Sequence, residues 1–315
     1  MKPYDWTRRG LIAAAAGVAL GAGLGAAALA QTPPGVLVVG QIAEPKSLDP
    51  AADTAVNDFR ILVNLYEGLV RYKSGTLEVA PQLAESWEVS GDGTEYTFHL
   101  RPGVMFHDGT PFNAEAVKFN FDRMLDENHP YHDTGPFPLS FFFSAIEKTE
   151  AVDDMTVKFT LNEPYAPFLS NLAYPTGLIV SPAAVEKHGK DFGRHPSGTG
   201  PFRFVEWDSN EKVVIEKNPD YWGEPAATDA VVFRPITDAN TRVAEMLAGG
   251  IDMMVEVPPT SLSQFQGEGF QIVEQAGPHV WFLILNAKEG PFADVRVRQA
   301  ANYAINKESI VNDVL

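Results

Sequence analysis

The chain has 315 residues, 45% hydrophobic and 21% charged, which is a globular composition with room for one large or two ordinary domains. A formal net charge of −17, with no Lys/Arg-rich run to offset it, argues against nucleic acid and anionic lipid as partners. The absence of cysteine excludes disulfides, thiolate metal sites and a lipidated-cysteine anchor.

The N-terminus has its own composition. Lys2, Arg8 and Arg9 precede LIAAAAGVALGAGLGAAALA, an uncharged run that ends in Ala28-Leu29-Ala30. This is a signal-peptide pattern over residues 1–30 with a small-residue cleavage site. A membrane anchor is the competing reading for so long an apolar run, but its alanine and glycine content and its A-x-A ending favour cleavage. Thr7-Arg8-Arg9-Gly10-Leu11-Ile12 resembles a twin-arginine export signal, which leaves the Sec and Tat routes both open. Cleavage would remove three basic and one acidic side chain, moving the net charge to −19. A soluble periplasmic product without a lipid anchor is expected.

A short apolar strand from Gly35 to Val39 leads into GQIAEPKSLDP, whose prolines call for an extended loop. DFRILVNLYEGLV puts Phe59, Leu62, Val63, Tyr66 and Leu69 or Val70 on one face of a predicted helix. EYTFHL and TVKFTL alternate, with Tyr96, Phe98 and Leu100, then Val157, Phe159 and Leu161, on the covered side of two strands. Between them Asn113 stands as the N-cap of AEAVKFNFDRML, which aligns Val117, Phe121 and Met124 or Leu125. SGTGPFRFVEW is a glycine turn feeding a strand, KVVIEK its hairpin partner, and VVFRPI a further strand. TDANTRVAEMLAGG is a helix capped by Thr237 or Asp238 and stopped by Gly249-Gly250, with Val243, Met246 and Leu247 on its buried stripe. FQIVEQ and VWFLILN are predicted strands flanking AGPH, followed by a helix capped by Asp294 and a second helical segment. After residue 30 no stretch is long enough to span a membrane.

FHDGTPF, residues 106–112, sets His107 beside Asp108 and raises the question of a catalytic dyad. Adjacent residues of an extended chain point to opposite sides, so this pair reads as a turn between strand and helix. HExxH, GxSxG, Walker and strand-linked GxGxxG motifs are absent. Ser209-Asn210-Glu211-Lys212 matches S-x-x-K, but in a polar turn rather than at a helix start. The seven histidines make no i, i+4 pair, so neither a metal nor a cofactor is implied. Tyr131 after Pro130, and His279 and Trp281 after Gly277-Pro278, read equally as ordinary packing or as pocket walls.

Taken in order, AEPKSLDP, LYEGLV, PQLAESWEVSGDGTEYTFHLRPGVMFHDGTPFNAEAVKF, GTGPFRF, EKNPDYW, ITDANTRVAEMLAGGID and ADVRVRQAANYAIN resemble the family 5 solute-binding proteins of ABC importers, over essentially residues 36–315. That resemblance implies a bilobal α/β periplasmic-binding-protein fold that closes over its ligand by a hinge. It places lobe I at 31–66 and 170–277, an extra domain at 67–169, and the start of lobe II at 278–315. Such proteins continue further, so most of lobe II falls outside these residues. FHDGTPF belongs to the extra domain, away from the cleft. Carried over by position, Asp53, Thr54, Tyr131, Val255, Glu256, Val257, His279 and Trp281 are the expected ligand-binding residues. Glu256 hints at a cationic or amine-bearing ligand. The implied role is a non-enzymatic, monomeric receptor that captures a peptide or small polar solute and delivers it to an inner-membrane ABC permease. The alternatives are a remnant without transport activity and an exported hydrolase.

Overall fold

The computed structural model describes residues 33–267, 269–274 and 282–313. The predicted signal peptide and the positions His279 and Trp281 lie outside the described residues. The chain divides into two compact units, the second beginning at Val257.

The first unit runs β1 (Val36–Gln41), α1 (Val56–Leu65), β2 (Glu67–Gly68), β3 (Val70–Tyr72), β4 (Val79–Pro81), β5 (Ala84–Val89), β6 (Glu95–Leu100) and α2 (Ala114–Leu125). It continues with β7 (Ile146–Asp153), β8 (Thr156–Leu161), α3 (Phe168–Leu172), β9 (Leu178–Ile179), α4 (Pro182–His188), β10 (Phe202–Asp208), β11 (Lys212–Lys217), β12 (Ala230–Pro235), α5 (Ala239–Ala248) and β13 (Met253–Met254).

One sheet has the order β10-β11-β12-β1-β13. Its first three strands are antiparallel, whereas β1 runs parallel to both β12 and β13. The hairpin of KVVIEK with FRFVEWD and the strand in VVFRPI are as the patterns predict. Val39, Phe59, Leu62, Leu65, Val213, Ile215 and Phe233 join one core against this sheet.

The second sheet, β5-β6-β8-β7, is antiparallel throughout. The alternation read from EYTFHL and TVKFTL holds, with Tyr96, Phe98, Leu100, Val157, Phe159 and Leu161 all buried. α2 covers that face through Val117, Phe121 and Met124, and Asn113 caps it by accepting the Ala116 N–H at 3.0 Å. Phe121 meets Phe143 and Phe159 edge-on, the arrangement favoured by ring quadrupoles.

Two helices differ from expectation. α1 ends at Leu65 rather than continuing through Val70, because residues 67–72 pair as strands, Glu67 with Ile179 and Val70 with Pro81. Its buried face is Asp58, Phe59, Ile61, Leu62 and Leu65, while Val63 is exposed. In α5, capped by Asp238 and ended by Gly249 in the left-handed region at φ 74°, Val243 is buried but Leu247 is exposed.

The second unit contains α6 (Val295–Ala304) and α7 (Lys307–Asp313), and Asp294 caps α6 as read from the sequence. The strands expected in FQIVEQ and VWFLILN are not formed by the described residues 270–274 and 282–286. A strand needs a neighbouring edge for its N–H and C=O groups, and among the described residues none pairs with these segments.

Candidate ligand-binding edge and the buried polar centres

Because β1, β12 and β13 run in parallel, their carboxyl ends, at Gln41, Pro235 and Met254, fall on one edge of the sheet. In open α/β sheets this edge is where ligands are bound. Three segments leave it: the loop that joins β1 to α1, residues 236–238 between β12 and α5, and Val255-Glu256 after β13.

The loop is fixed by its own side chains. Glu44 accepts from Trp207 Nε1 at 2.7 Å and from the Asn210 backbone N–H at 3.0 Å, and the Arg194 guanidinium lies 3.4 Å from the Trp207 ring centre. Asp49 accepts two hydrogen bonds from Arg123 on α2, at 3.0 and 3.1 Å, and both side chains are almost wholly buried. Asp53 accepts from the N–H groups of Thr54 and Ala55, at 2.5 and 2.9 Å, and so shapes the entry to α1.

The expected ligand residues distribute as follows. Thr54 is exposed at the start of α1, while Asp53, one residue earlier, is buried. Val255 is half-buried, packs on the core and donates its N–H to Gly40 O at 3.2 Å. Glu256 is exposed, holds φ at 56°, and pairs with Arg60 of α1 at 2.9 Å. Arg60 offsets the negative charge that Glu256 would otherwise offer an amine. Tyr131 is half-buried beside Phe119 and His129, at ring separations of 5.9 and 6.0 Å. It is tied to the loop through Arg123, which reaches Thr134 Oγ1 at 3.4 Å, and the Thr134 hydroxyl donates to Tyr131 O at 2.7 Å. Val257, the first residue of the second unit, is half-buried.

His107 and Asp108 do not form a dyad. The His107 Nδ1 accepts the Gly198 N–H at 3.2 Å and Nε2 faces the Gly200 carbonyl at 3.1 Å, so the proton sits on Nε2. Burial depresses the imidazole to about 4, and a protonated Nδ1 would confront an N–H. Asp108 turns elsewhere, accepting from Ser181 Oγ at 2.5 Å and from Thr110 N at 2.9 Å. The S-x-x-K match lies in the β10–β11 turn, where Ser209 accepts from Arg194 at 2.9 Å and Lys212 pairs with Glu206 at 2.5 Å. Among the described residues no group of three or more His, Asp or Glu is placed to hold a metal ion.

Sequence reasoning missed Glu67. It is buried and accepts from Tyr221 Oη at 2.8 Å, Trp222 Nε1 at 2.7 Å, Thr199 Oγ1 at 2.9 Å and Gln82 Nε2 at 3.4 Å. Burial raises its carboxyl, and these four donors hold it down against that. The motifs LYEGL, SGTGPF and NPDYW therefore converge on one carboxylate. FHDGT joins them through backbone, His107 N–H donating to Gly198 O at 2.8 Å. Gly198 sits so close to the end of α1 that a Cβ there would strike the Leu65 carbonyl.

Comparison with known proteins places this architecture. Residues 78–315 match the family described as bacterial extracellular solute-binding proteins, family 5 Middle. The chain is 38% identical over 269 residues to the glutathione-binding protein GsiB of Pectobacterium atrosepticum, covering 84% of this chain and 51% of that one. It is 37% identical over 269 residues to the dipeptide-binding protein of Escherichia coli, covering 80% and 50%. The solved dipeptide binding protein from Pseudoalteromonas sp. SM9913, in complex with Met-Leu, superposes with a TM-score of 0.81 at 30% identity, covering 88% of this chain and 58% of that one. The chain spans about half the length of the curated relatives it matches.

Proposed function

This chain belongs to the bacterial extracellular solute-binding proteins of family 5, and from that premise we propose that it is part of the periplasmic receptor of an ABC importer for peptides or a similar small polar solute. The receptor works as a monomer, closes its lobes around the solute and hands it to an inner-membrane permease. The likeness to a dipeptide binding protein seen with Met-Leu carries this reading, and the parallel strands β1, β12 and β13 present the kind of carboxyl edge at which α/β sheets bind ligands. Thr54 and Glu256, both exposed, and the half-buried Val255 are the first members of the proposed ligand set, with Glu256 carrying its Arg60 partner. The Pro130-Tyr131 segment, His279 and Trp281 complete the proposed ligand set, with Asp53 and Val257 shaping it. Chemistry on the solute is not part of the role. The relatives are binding proteins.

Micromolar affinity corresponds to about −8 kcal/mol, within reach of enclosing a small polar ligand. Calorimetric titration of the exported protein with Met-Leu and with glutathione tests the proposal. Saturable binding of either, weakened several-fold by Thr54→Ala, is the expected result. Heats of dilution alone with both ligands would instead favour a remnant without transport activity. The mass of the protein recovered from its native periplasm separates the two readings further: a product longer than these residues belongs with the receptor.

A further inference from the structure

Two carboxyl groups are buried side by side at the start of α1. Asp58 is fully buried and Asp53 is 3% exposed, and their side chains lie within hydrogen-bonding reach of each other. Three of the four oxygens have donors of their own. Asp53 Oδ1 takes the N–H groups of Thr54 and Ala55, Asp58 Oδ2 takes the Lys46 backbone N–H at 3.0 Å, and Asp58 Oδ1 takes the Asn57 side-chain amide. Asp53 Oδ2 is buried with no such donor.

The charged groups that bear on Asp58 are Asp53 itself and Lys46. The Lys46 side chain is exposed, and the hydrogen bond from that residue comes from its backbone. Two ionised carboxylates in contact and away from water repel strongly, and among the described residues no lysine or arginine side chain forms an ion pair with either. Such pairs persist by keeping one proton between them. An O–H on either partner also supplies the donor that Asp53 Oδ2 lacks.

We propose that Asp53 and Asp58 share a single proton at neutral pH, and that the resulting O–H···O bond fastens the segment between Lys46 and Ala55 to the first turn of α1. Burial first, and Asp53 second, push the Asp58 carboxyl up to about 8. The sign follows from that direction. The folded value lies above the unfolded one, so the fastening is complete at acid pH and is lost as pH rises through about 8, when the proton leaves to solvent. The segment belongs to the loop that leaves the carboxyl end of β1, so its release would loosen that loop. The proton-sharing stands whether or not the protein binds a peptide.

Infrared spectroscopy of the protein, titrated across pH 8, reads the proton directly. The wild type should show the C=O stretch of a buried protonated carboxyl at neutral pH that vanishes with a midpoint near 8, and both Asp58→Asn and Asp53→Asn should lack it. Asparagine keeps the shape and brings a permanent N–H donor, so in Asp58→Asn the amides of Thr54 and Ala55 should keep their hydrogen-exchange protection above pH 8, where the wild type loses it. A wild type without the protonated-carboxyl band at neutral pH overturns the proposal, even if a variant fails to fold. The same loss of protection in wild type and Asp58→Asn overturns the fastening.

Discussion

Residues 33–256 and residues 257–313 come from one sequence and satisfy their backbones in different ways. In the first region the sheets are paired, Glu67 has four donors, and the Arg123–Asp49 pair is sealed from water. In the second, Phe282, Leu283 and Ile284 are 72%, 74% and 87% exposed. Yet α6 and α7 form there, each with a local cap: Asp294 accepts from Arg296 N at 2.9 Å, and Asn306 accepts from Ser309 N at 3.0 Å. A helix closes its hydrogen bonds within itself, whereas a strand depends on an edge supplied from elsewhere. The difference separates the segments that close their own hydrogen bonds from residues 282–286, which join no sheet among the described residues.

The strongest way to break that contrast is to unseal the first region. Arg123→Leu leaves Asp49 buried without its guanidinium, and removing one partner of a buried pair costs about 3–5 kcal/mol. Denaturant unfolding should show that loss, and Arg123→Leu combined with Asp49→Leu should recover part of it, because no lone charge then remains. A loss below about 1 kcal/mol for the single variant would mean the pair is hydrated in solution, and that the first region does not depend on sealed polar contacts.

His107 sharpens the same point through pH. Its folded value of about 4 lies below the unfolded 6.5, so the unfolded chain takes up the proton first as pH falls. The stability it contributes is therefore full above 6.5 and is lost between 6.5 and 4, by up to about 3 kcal/mol. Asp58 acts in the opposite direction over an overlapping range, so the wild-type curve alone cannot report on His107. The difference between wild type and His107→Gln can. The wild type's advantage at pH 7 should shrink by about that amount at pH 4, and a constant offset would show that the imidazole is not held neutral by Gly198 and Gly200.

The same division between local and distant partners decides what the sequence reveals. β6, β8, α2 and the β10–β11 hairpin were legible because alternation, a capping Asn113 and a short turn are local signals. α1 was read too long because Leu69 and Val70 prolong the helical period, and what ends it is pairing with Ile179, far along the chain. Thr54, Val255 and Glu256 are nominated by resemblance alone; Val255 and Glu256 directly follow β13, and Thr54 stands in the loop between β1 and α1. Arg123, Glu67 and Asp58 gave no signal. The partners of Arg123 and Glu67 lie up to 74 and 155 positions away, and Asp58 looks from sequence like an ordinary acidic residue in a first helical turn. The dyad question in FHDGTPF could be answered from sequence as a turn, but the role of His107 in clasping Gly198 and Gly200 could not.

The smallest expected effect probes the second region. Replacing Phe282, Leu283 and Ile284 together by serine removes apolar side chains that already face water, so the unfolding free energy of the first unit should move by no more than about 0.5 kcal/mol. Binding of a hydrophobic dye to the 315-residue chain should fall, and its tendency to associate with it, because exposed apolar surface of this kind drives contact between molecules. If the triple substitution instead lowered stability by several kcal/mol, the three side chains would be covered in solution. The segment would then be a strand after all, paired with an edge beyond the described residues, and the contrast between the two regions would be one of partner rather than of packing.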